Sequence, residues 1–185
     1  RSPCEDGERE QMKTIWTAQE VAQAVGAETK GTWIATGVGK DSRELNPKDL
    51  FIALKGPKLD GVEYIDAAFK AGAVGAVVDR VPPGFEEDSR LILVKDTFKA
   101  LNDLASAART RSQAKIVAIT GSFGKTGTKD ATALLLSFFG SVQASERSFN
   151  NHWGVPFTVS NIAPNLDFAV IEMGMNHAGE IAPLS

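Results

Sequence analysis

Residues 116–126 read Ile116-Val-Ala-Ile-Thr-Gly-Ser-Phe-Gly-Lys-Thr126, a short apolar run that leads directly into a glycine-rich turn. The run over residues 116–120 has the length and composition of a buried parallel strand. Beyond the turn, apolar residues recur at helical spacing and predict an amphipathic helix that begins near Thr126. These residues are Ala131, Leu134, Leu135 and Phe138. The stretch therefore predicts a strand, a loop and a helix within an α/β domain that has a mainly parallel sheet.

The turn Gly121-Ser-Phe-Gly-Lys-Thr126 offers the groups that bind phosphate. Glycines let backbone N–H groups approach phosphate oxygens, and the start of the following helix adds its unpaired N–H groups. Lys125 would supply a positive charge near the β and γ phosphates, and the hydroxyl of Thr126 suits Mg²⁺. The loop is a short variant, because Ile119 stands where the general pattern has its first glycine. The strand before it and the helix after it favour nucleotide binding over a solvated turn.

The expected nucleotide is ATP with Mg²⁺, because no Asn/Thr-Lys-x-Asp run that could bind guanine follows the loop. A phosphate loop and the first turn of its helix together surround the phosphates. The residues expected to contact ATP are Gly121, Ser122, Phe123, Gly124, Lys125, Thr126, Gly127 and Thr128.

Glu172 comes at the end of another predicted parallel strand, Phe168-Ala-Val-Ile171. In open parallel sheets ligands bind beyond the carboxyl ends of the strands, and the phosphate loop follows the end of its own strand. Glu172 and Thr126 could therefore share one Mg²⁺, although a glutamate at a strand end can also simply reach solvent. His177 follows in a loop at the same edge, where it is either a further catalytic residue or a surface histidine.

The N-terminal half predicts a second, smaller α/β domain over residues 12–95. Thr17-Ala-Gln-Glu20 has the spacing of a capping box, so a helix should start at Thr17 and Gly26 should end it. Three apolar runs predict buried strands, and a helical stripe separates the first two runs. The runs cover residues 50–54, 75–78 and 91–94.

Residues 96–185 are expected to form the second domain, which an amphipathic helix over 98–108 connects to the first. Residues 1–11 are polar and mostly acidic, with no apolar core of a signal peptide. We expect them to be disordered, or to be a leftover of cloning.

Charge and composition exclude several classes of protein. The net charge is -3 and the two signs are interspersed, so no basic surface for nucleic acid is expected. No apolar run approaches the roughly 20 residues that span a bilayer, so no membrane insertion is expected. The single cysteine, Cys4, can form no internal disulfide, which fits a cytoplasmic protein.

Two turns combine polar groups that suit a substrate. Asn150 and Asn151 lie in Phe149-Asn-Asn-His-Trp-Gly-Val-Pro156, where turn formation alone could also explain them. Asp41-Ser42-Arg43 pairs a hydroxyl with a guanidinium that can bind a diphosphate with two N–H groups, although an Asp-Arg pair in a turn is equally ordinary.

From residue 17 to residue 185 the sequence resembles the Mur ligases of peptidoglycan synthesis. It is most similar to the type that joins D-alanyl-D-alanine to UDP-N-acetylmuramoyl-tripeptide. The phosphate loop is common to the whole family, whereas the segments around Asn151 and His177 indicate this type. The resemblance is carried by Asp41-Ser-Arg43, Asp49-Leu-Phe-Ile-Ala-Leu-Lys-Gly56, Asp60-Gly61, Ile119-Thr-Gly-Ser-Phe-Gly-Lys-Thr126, Phe149-Asn-Asn-His-Trp-Gly-Val-Pro156 and Ile171-Glu-Met-Gly-Met-Asn-His-Ala-Gly-Glu-Ile181.

The resemblance implies an α/β fold with a small UDP-binding domain, followed by the start of a P-loop ATPase domain. It also implies a role for each matching residue. Substrate contacts would come from Ser42, Arg43, Lys55, Asp60 and Gly61 around the UDP end, and from Asn150 and Asn151 at the muramoyl-peptide. Catalysis would involve Lys125, Glu172 and His177, with Thr126 and Glu172 as the Mg²⁺ ligands.

Two departures weaken details of the match, since Val62 and Gly127 stand where the family often has a histidine and a hydroxyl residue. The resemblance implies a monomer that forms an amide bond through an acyl phosphate. Because such ligases have about three domains, we expect this chain by itself to be incomplete and inactive. The third residue of the substrate peptide, diaminopimelate or lysine, stays open. The alternatives are a sister ligase that adds the third amino acid, and a nucleotide-dependent binding module without ligase activity.

Overall fold

The protein divides into two compact units, Arg1–Leu104 and Ala105–Ser185, in a computed structural model that describes residues 14–56, 59–145 and 150–174. The division falls inside a long helix, Thr97–Arg111. The sequence prediction put the boundary just before that helix, near residue 95. The assignment of one function to each unit stays a prediction.

The first unit is built on a parallel sheet of four strands with the order β3-β4-β5-β6, beside a small antiparallel pair, β1-β2. A 3₁₀ turn, Gly61–Tyr64, precedes its second helix. The elements are β1 (Trp16–Thr17), α1 (Ala18–Val25), β2 (Ile34–Ala35), β3 (Gly37–Gly39), β4 (Asp49–Ile52), α2 (Ile65–Lys70), β5 (Gly75–Val78), β6 (Leu91–Leu93) and α3 (Thr97–Arg111).

Helix α1 begins and ends where local chemistry predicts. The Thr17 hydroxyl accepts a hydrogen bond from the backbone N–H of Glu20, whose carboxylate accepts one from the Thr17 N–H. This capping box satisfies two donors that a helix start leaves unpaired. Gly26 closes the helix in the left-handed conformation, with φ 66°. Both predictions for this helix are confirmed.

One buried cluster of the first unit lies between its sheet and helix α2. All four residues of β4 and of β5 are buried, which explains why both strands read as continuous apolar runs. The cluster consists of Phe51, Ala53, Val62, Ile65, Ala68, Ala73, Ala76 and Val78. Because the four strands are parallel, the segments that follow β3, β4 and β5 emerge at one edge of the sheet.

The second unit contains a three-stranded parallel sheet with the order β7-β9-β8. Its elements are β7 (Lys115–Ile119), α4 (Lys125–Leu136), β8 (Val142–Ala144), α5 (Gly154–Ser160) and β9 (Phe168–Glu172). The pairing of β7 with β9 places Ile119 directly opposite Glu172. The phosphate loop therefore begins beside Glu172, which confirms the predicted shared edge.

The apolar stripe that predicted helix α4 does not mark its buried face. Leu134 and Leu135 are each 64% exposed, and the helix ends at Leu136, before the 77% exposed Phe138. Lys129, in contrast, is buried. An apolar stripe indicates that one face of a helix can pack against another surface, but it does not identify that surface. Among the described residues, no helix is long and apolar enough to cross a membrane.

Two elements of the second unit were not predicted. Strand β8 has only three residues and includes Gln143, so it lacks the apolar run that identified the other strands. Helix α5 contains Pro156 at its third position, in a segment that the sequence predicted to be a turn. Proline is tolerated in the first turn of a helix, because the N–H groups there have no partner within the helix.

Candidate functional site

The phosphate loop depends on two glycines with positive φ angles. Gly121 has φ 151° and Gly124 has φ 75°. Residues other than glycine rarely adopt these positive backbone angles. Gly124 is the cap of helix α4, whose first residue is Lys125. The turn thus directs the unpaired N–H groups and the positive end of α4 into the space above the loop, where they can bind an anion.

Lys125 closes over this loop. Its Nζ donates a hydrogen bond of 2.7 Å to the carbonyl oxygen of Gly121, four residues earlier. This bond holds the ammonium group beside the loop and leaves it partly exposed to solvent. A bound phosphate could therefore take over the ammonium without a rearrangement of the backbone.

The carboxylate of Glu172 lies at the base of the same site. The Thr126 hydroxyl donates to its Oε2 at 3.0 Å, and the Asn150 side-chain amide donates to its Oε1 at 2.8 Å. Glu172 is only 1% exposed, so these hydrogen bonds are important for stabilising a charged group that is almost removed from water.

These groups line an open cleft of about 360 Å³. A volume of this size is within the range of small-molecule sites. The lining residues are Ser122, Phe123, Gly124, Lys125, Thr126, Gly127, Asn150 and Glu172. Six of the eight predicted ATP contacts are among them; Gly121 and Thr128 are not.

The oxygen atoms of Thr126 and Glu172 are the kind of donor that Mg²⁺ prefers. Across residues 14–56, 59–145 and 150–174, no cluster of three or more His, Cys, Asp or Glu side chains could hold a metal ion. Mg²⁺ usually keeps several waters and is bound by one or two protein ligands together with substrate phosphates. The donor set therefore fits a nucleotide-bound Mg²⁺.

Behind the cleft lies a group of buried polar residues that were not predicted from the sequence. The Lys129 Nζ donates to the carbonyl oxygen of Ser145 at 2.8 Å. The Ser145 hydroxyl accepts the backbone N–H of Glu172 at 3.0 Å. Lys129 follows Thr126 by three residues, a spacing that puts both on one face of α4, and this spacing could have identified it.

The predicted asparagine pair has two different environments. Asn150 contacts Glu172 through its side chain, and its backbone oxygen accepts from Gly174 N at 2.6 Å. The side-chain oxygen of Asn151 accepts the N–H groups of Trp153 and Gly154 at 3.1 and 2.9 Å, in the turn that leads into helix α5. The contact of both asparagines with a muramoyl-peptide stays a prediction.

In the first unit, the turn after β3 holds Arg43 against Asp41. The Arg43 side chain donates to both carboxylate oxygens, from Nε at 2.9 Å and from Nη2 at 2.6 Å. These bonds lower the pKa of Asp41 to about 2. Ser42, which lies between Asp41 and Arg43 in the sequence, is half-buried. Two of the five guanidinium N–H groups are used to orient Arg43, so others can donate to a ligand.

The segment after β4 contains the other predicted substrate residues. Lys55 and Asp60 face each other in an isolated antiparallel bridge. Asp60 caps the 3₁₀ turn by accepting the Val62 N–H at 3.1 Å. It also accepts a 2.7 Å hydrogen bond from Arg80, which lowers the pKa of Asp60.

Gly61 has a packing role. A Cβ atom at this position would lie 2.6 Å from the backbone carbon of Ala53, closer than two such atoms approach. Arg80, which follows β5, was not among the predicted residues. The sequence signal for it was its place just after a buried parallel strand. His177 lies outside the described residues.

Two known domain families match segments of this chain. The Mur ligase family, catalytic domain, matches residues 35–109, and the Mur ligase middle domain matches residues 119–185. Between them they cover both the carboxyl edge of the first sheet and the phosphate-loop cleft of the second. The chain belongs to the Mur ligase family.

Relatives of this Mur ligase chain agree in name. The UDP-N-acetylmuramoyl-tripeptide--D-alanyl-D-alanine ligase of Rickettsia prowazekii is 38% identical over 170 residues, which cover 92% of this chain and 37% of that protein. This chain therefore spans just over a third of the length of that relative.

Two solved structures resemble the Mur ligase chain. The UDP-N-acetylmuramoylalanyl-D-glutamyl-2,6-diaminopimelate--D-alanyl-D-alanyl ligase of Acinetobacter baumannii is 31% identical with a TM-score of 0.79, over 91% of this chain and 38% of that one. The MurF ligase of Thermotoga maritima in complex with ADP is 30% identical with a TM-score of 0.62, over 80% of this chain and 34% of that one. The predicted family and the α/β fold class are thus confirmed.

Proposed function

We propose that this chain binds ATP and the UDP-linked substrate in a ligase that joins D-alanyl-D-alanine to UDP-N-acetylmuramoyl-tripeptide. One observation carries the proposal: Lys125, Thr126 and Glu172 meet in a single cleft at the start of helix α4. A carboxylate–amine ligase needs such a site, because ATP must convert an unreactive carboxylate into an acyl phosphate before an amine can attack it.

In this proposal the loop binds the phosphates of ATP. The N–H groups at the start of α4 and the ammonium of Lys125 donate to the β and γ phosphate oxygens. They stabilise the negative charge that develops during phosphoryl transfer. The ADP in the complex of the Thermotoga maritima relative supports an adenine nucleotide for this site.

Thr126 and Glu172 would hold Mg²⁺ beside the phosphates. When bound, Mg²⁺ neutralises charge on the transferred phosphoryl group. Asn150 keeps the Glu172 carboxylate oriented through its 2.8 Å hydrogen bond. Since Thr126 donates to the other carboxylate oxygen at 3.0 Å, the two ligands are already close together before any metal binds.

The UDP end of the substrate would bind at the carboxyl edge of the first sheet. Arg43 and Ser42 follow β3, Lys55 and Asp60 follow β4, and Arg80 follows β5. Ligands of open parallel sheets bind at this edge. Asp41 and Asp60 orient the two guanidinium groups, which suit the oxygens of a diphosphate.

The reaction assigns each group a defined part. A carboxylate oxygen of the tripeptide attacks the γ phosphorus, and the bond to the bridging oxygen breaks to release ADP. The amine of D-alanyl-D-alanine then attacks the acyl carbon, loses a proton, and phosphate leaves. Within this chain, Lys125 and the loop stabilise the first step by holding the phosphates in place.

We also propose that the protein works in the cytoplasm as a monomer. ATP and UDP-linked precursors are cytoplasmic compounds, and a single cysteine suits a reducing compartment. Size-exclusion chromatography with light scattering at micromolar concentration tests this part, and a stable dimer would contradict it.

Calorimetric titration of the chain tests the main proposal. We expect MgADP and UDP-N-acetylmuramoyl-tripeptide to bind independently, and the corresponding dipeptide precursor to bind much more weakly. Equal or tighter binding of the dipeptide precursor would favour a ligase that adds the third amino acid. Binding of MgADP without either UDP-linked compound would favour a nucleotide-dependent binding module, and no MgADP binding would overturn the nucleotide site.

A further inference from the structure

We propose that Lys129 is a positioning residue that keeps Glu172 in place for the nucleotide-bound metal, acting through Ser145; the inference rests on the nucleotide site proposed above. Lys129, Ser145 and Glu172 are 4%, 2% and 1% exposed, respectively, so all three polar groups are almost completely buried. They come from α4, from the residue after β8 and from the end of β9.

A buried ammonium group requires a physical reason. Removing the charge from water costs several kcal/mol unless hydrogen bonds and opposite charge compensate it. The Lys129 Nζ donates to Ser145 O at 2.8 Å and lies 3.3 Å from the carboxylate of Asp130, which is mostly exposed. An apolar side chain of similar length would fill the same space without that cost, so the lysine contributes its polar contacts, of which the one to Ser145 is buried and the one to Asp130 is largely exposed.

The hydrogen bond from Lys129 is important because Ser145 itself contacts strand β9. Its backbone N–H donates to Val170 O at 2.9 Å, and its hydroxyl accepts the Glu172 N–H at 3.0 Å. Ser145 therefore holds the end of β9 at two backbone groups, the carbonyl oxygen of Val170 and the N–H of Glu172. Its own carbonyl oxygen lies beyond the end of β8, and a buried carbonyl needs a donor. Lys129 is that donor.

The same helix face contacts Glu172 twice, once directly and once indirectly. Thr126 donates to the Glu172 side chain, and Lys129 holds Ser145, which holds the Glu172 backbone. Helix α4 and strand β9 are thereby held so that the Thr126 hydroxyl and the Glu172 carboxylate lie 3.0 Å apart. Loss of the Lys129 contact should loosen Glu172 without touching the loop residues that bind phosphate directly.

The test separates metal-dependent from metal-independent nucleotide binding. The Kd for ADP is measured by calorimetry with excess EDTA and with excess Mg²⁺, in the wild-type chain, Lys129→Met and Ser145→Ala. The ratio of interest is the Kd in EDTA divided by the Kd in Mg²⁺, which measures how much the metal strengthens binding. We expect either substitution to reduce this ratio at least fivefold, while the Kd in EDTA changes less than twofold. Lys99→Met, which alters an exposed helical lysine paired with Asp103, should leave both values unchanged.

Amide hydrogen exchange gives a reading that needs no nucleotide. We expect the Glu172 N–H to exchange at least tenfold faster in Lys129→Met and in Ser145→Ala than in the wild type, with no change in Lys99→Met. If Lys129→Met does not fold, Ser145→Ala carries the test, because it keeps the lysine and removes only the hydroxyl that accepts the Glu172 N–H.

Each result has one meaning. Unchanged Glu172 exchange, or an unchanged ratio of Kd values, overturns the inference. An equal loss of affinity in EDTA and in Mg²⁺ also overturns it, because general damage to the unit would have that effect. A wild-type chain that binds no ADP overturns the proposed function instead, and the exchange data then still decide whether Lys129 holds Glu172.

Discussion

Replacement of Lys125 with alanine tests the phosphate loop most directly. In the free protein its Nζ donates 2.7 Å to Gly121 O, a contact between partly exposed groups that contributes little to folding. In the complex, the same ammonium would donate to a phosphate oxygen. A hydrogen bond to a charged group contributes about 1.5 to 3 kcal/mol. At 1.4 kcal/mol for each factor of ten, Lys125→Ala should weaken MgADP binding by about 10- to 150-fold.

The measurement is a calorimetric titration with MgADP, accompanied by thermal unfolding of each variant. Lys99→Ala is the matched control, because Lys99 also lies in a helix and its side chain is 72% exposed. Because exposed substitutions usually change stability by no more than about 0.5 kcal/mol, both variants should keep the wild-type Tm within a few degrees. An affinity that changes less than twofold in Lys125→Ala would refute the assignment of this loop. A large fall in Tm would mean that Lys125 supports the fold, which would contradict the reasoning from its exposure.

Three further substitutions test other parts of the molecule. Gly61→Ala should destabilise the first unit by about 1 to 3 kcal/mol in urea unfolding, because its Cβ would lie 2.6 Å from the backbone of Ala53; an unchanged midpoint would contradict the packing role. Asn151→Ala should cost about 1 kcal/mol through loss of the hydrogen bonds that Asn151 accepts from Trp153 and Gly154, whereas Asn151→Asp should retain stability; chemical unfolding of both variants decides this. Arg43→Ala should return the pKa of Asp41 from about 2 toward 3.8. Because the lowered pKa of Asp41 favours its ionised form in the folded state, the free energy of unfolding of the wild type should exceed that of the variant above pH 4. The difference should be small, since Arg43 is exposed, and should disappear as the pH falls from 4 to 2; a difference that persists at pH 2 would contradict it.

Much of the fold could be predicted because its signals are local. The capping box at Thr17 and the left-handed Gly26 depend only on neighbouring residues. Strands β4, β5 and β9 are buried on both faces, so each reads as an apolar run. The shared edge of the loop and Glu172 followed from the rule that parallel strands end together.

The missed features depend on tertiary structure. The face of α4 that is covered in this chain contains a lysine, and hydrophobic periodicity cannot identify a buried charge. Ser145 acts through a hydroxyl that accepts the N–H of Glu172, a residue 27 positions further along the chain. Arg80 meets Asp60 only because β5 lies next to β4 in the sheet. The sequence spacing places Lys129 on the same helix face as Thr126, but no spacing specifies which distant residues these side chains contact.

The central position of β9 in the order β7-β9-β8 has a consequence for folding. Strand β7 leads into the phosphate loop and β8 leads to Ser145, yet both are joined through a strand that is synthesised after them. Closing these long chain segments costs entropy before the ladder hydrogen bonds form, so this step is expected to be slow. Until β9 inserts, the loop has no carboxylate beside it and the cleft does not exist. A nucleotide that needs the cleft then binds only the finished sheet, and by mass action it protects that sheet from unfolding.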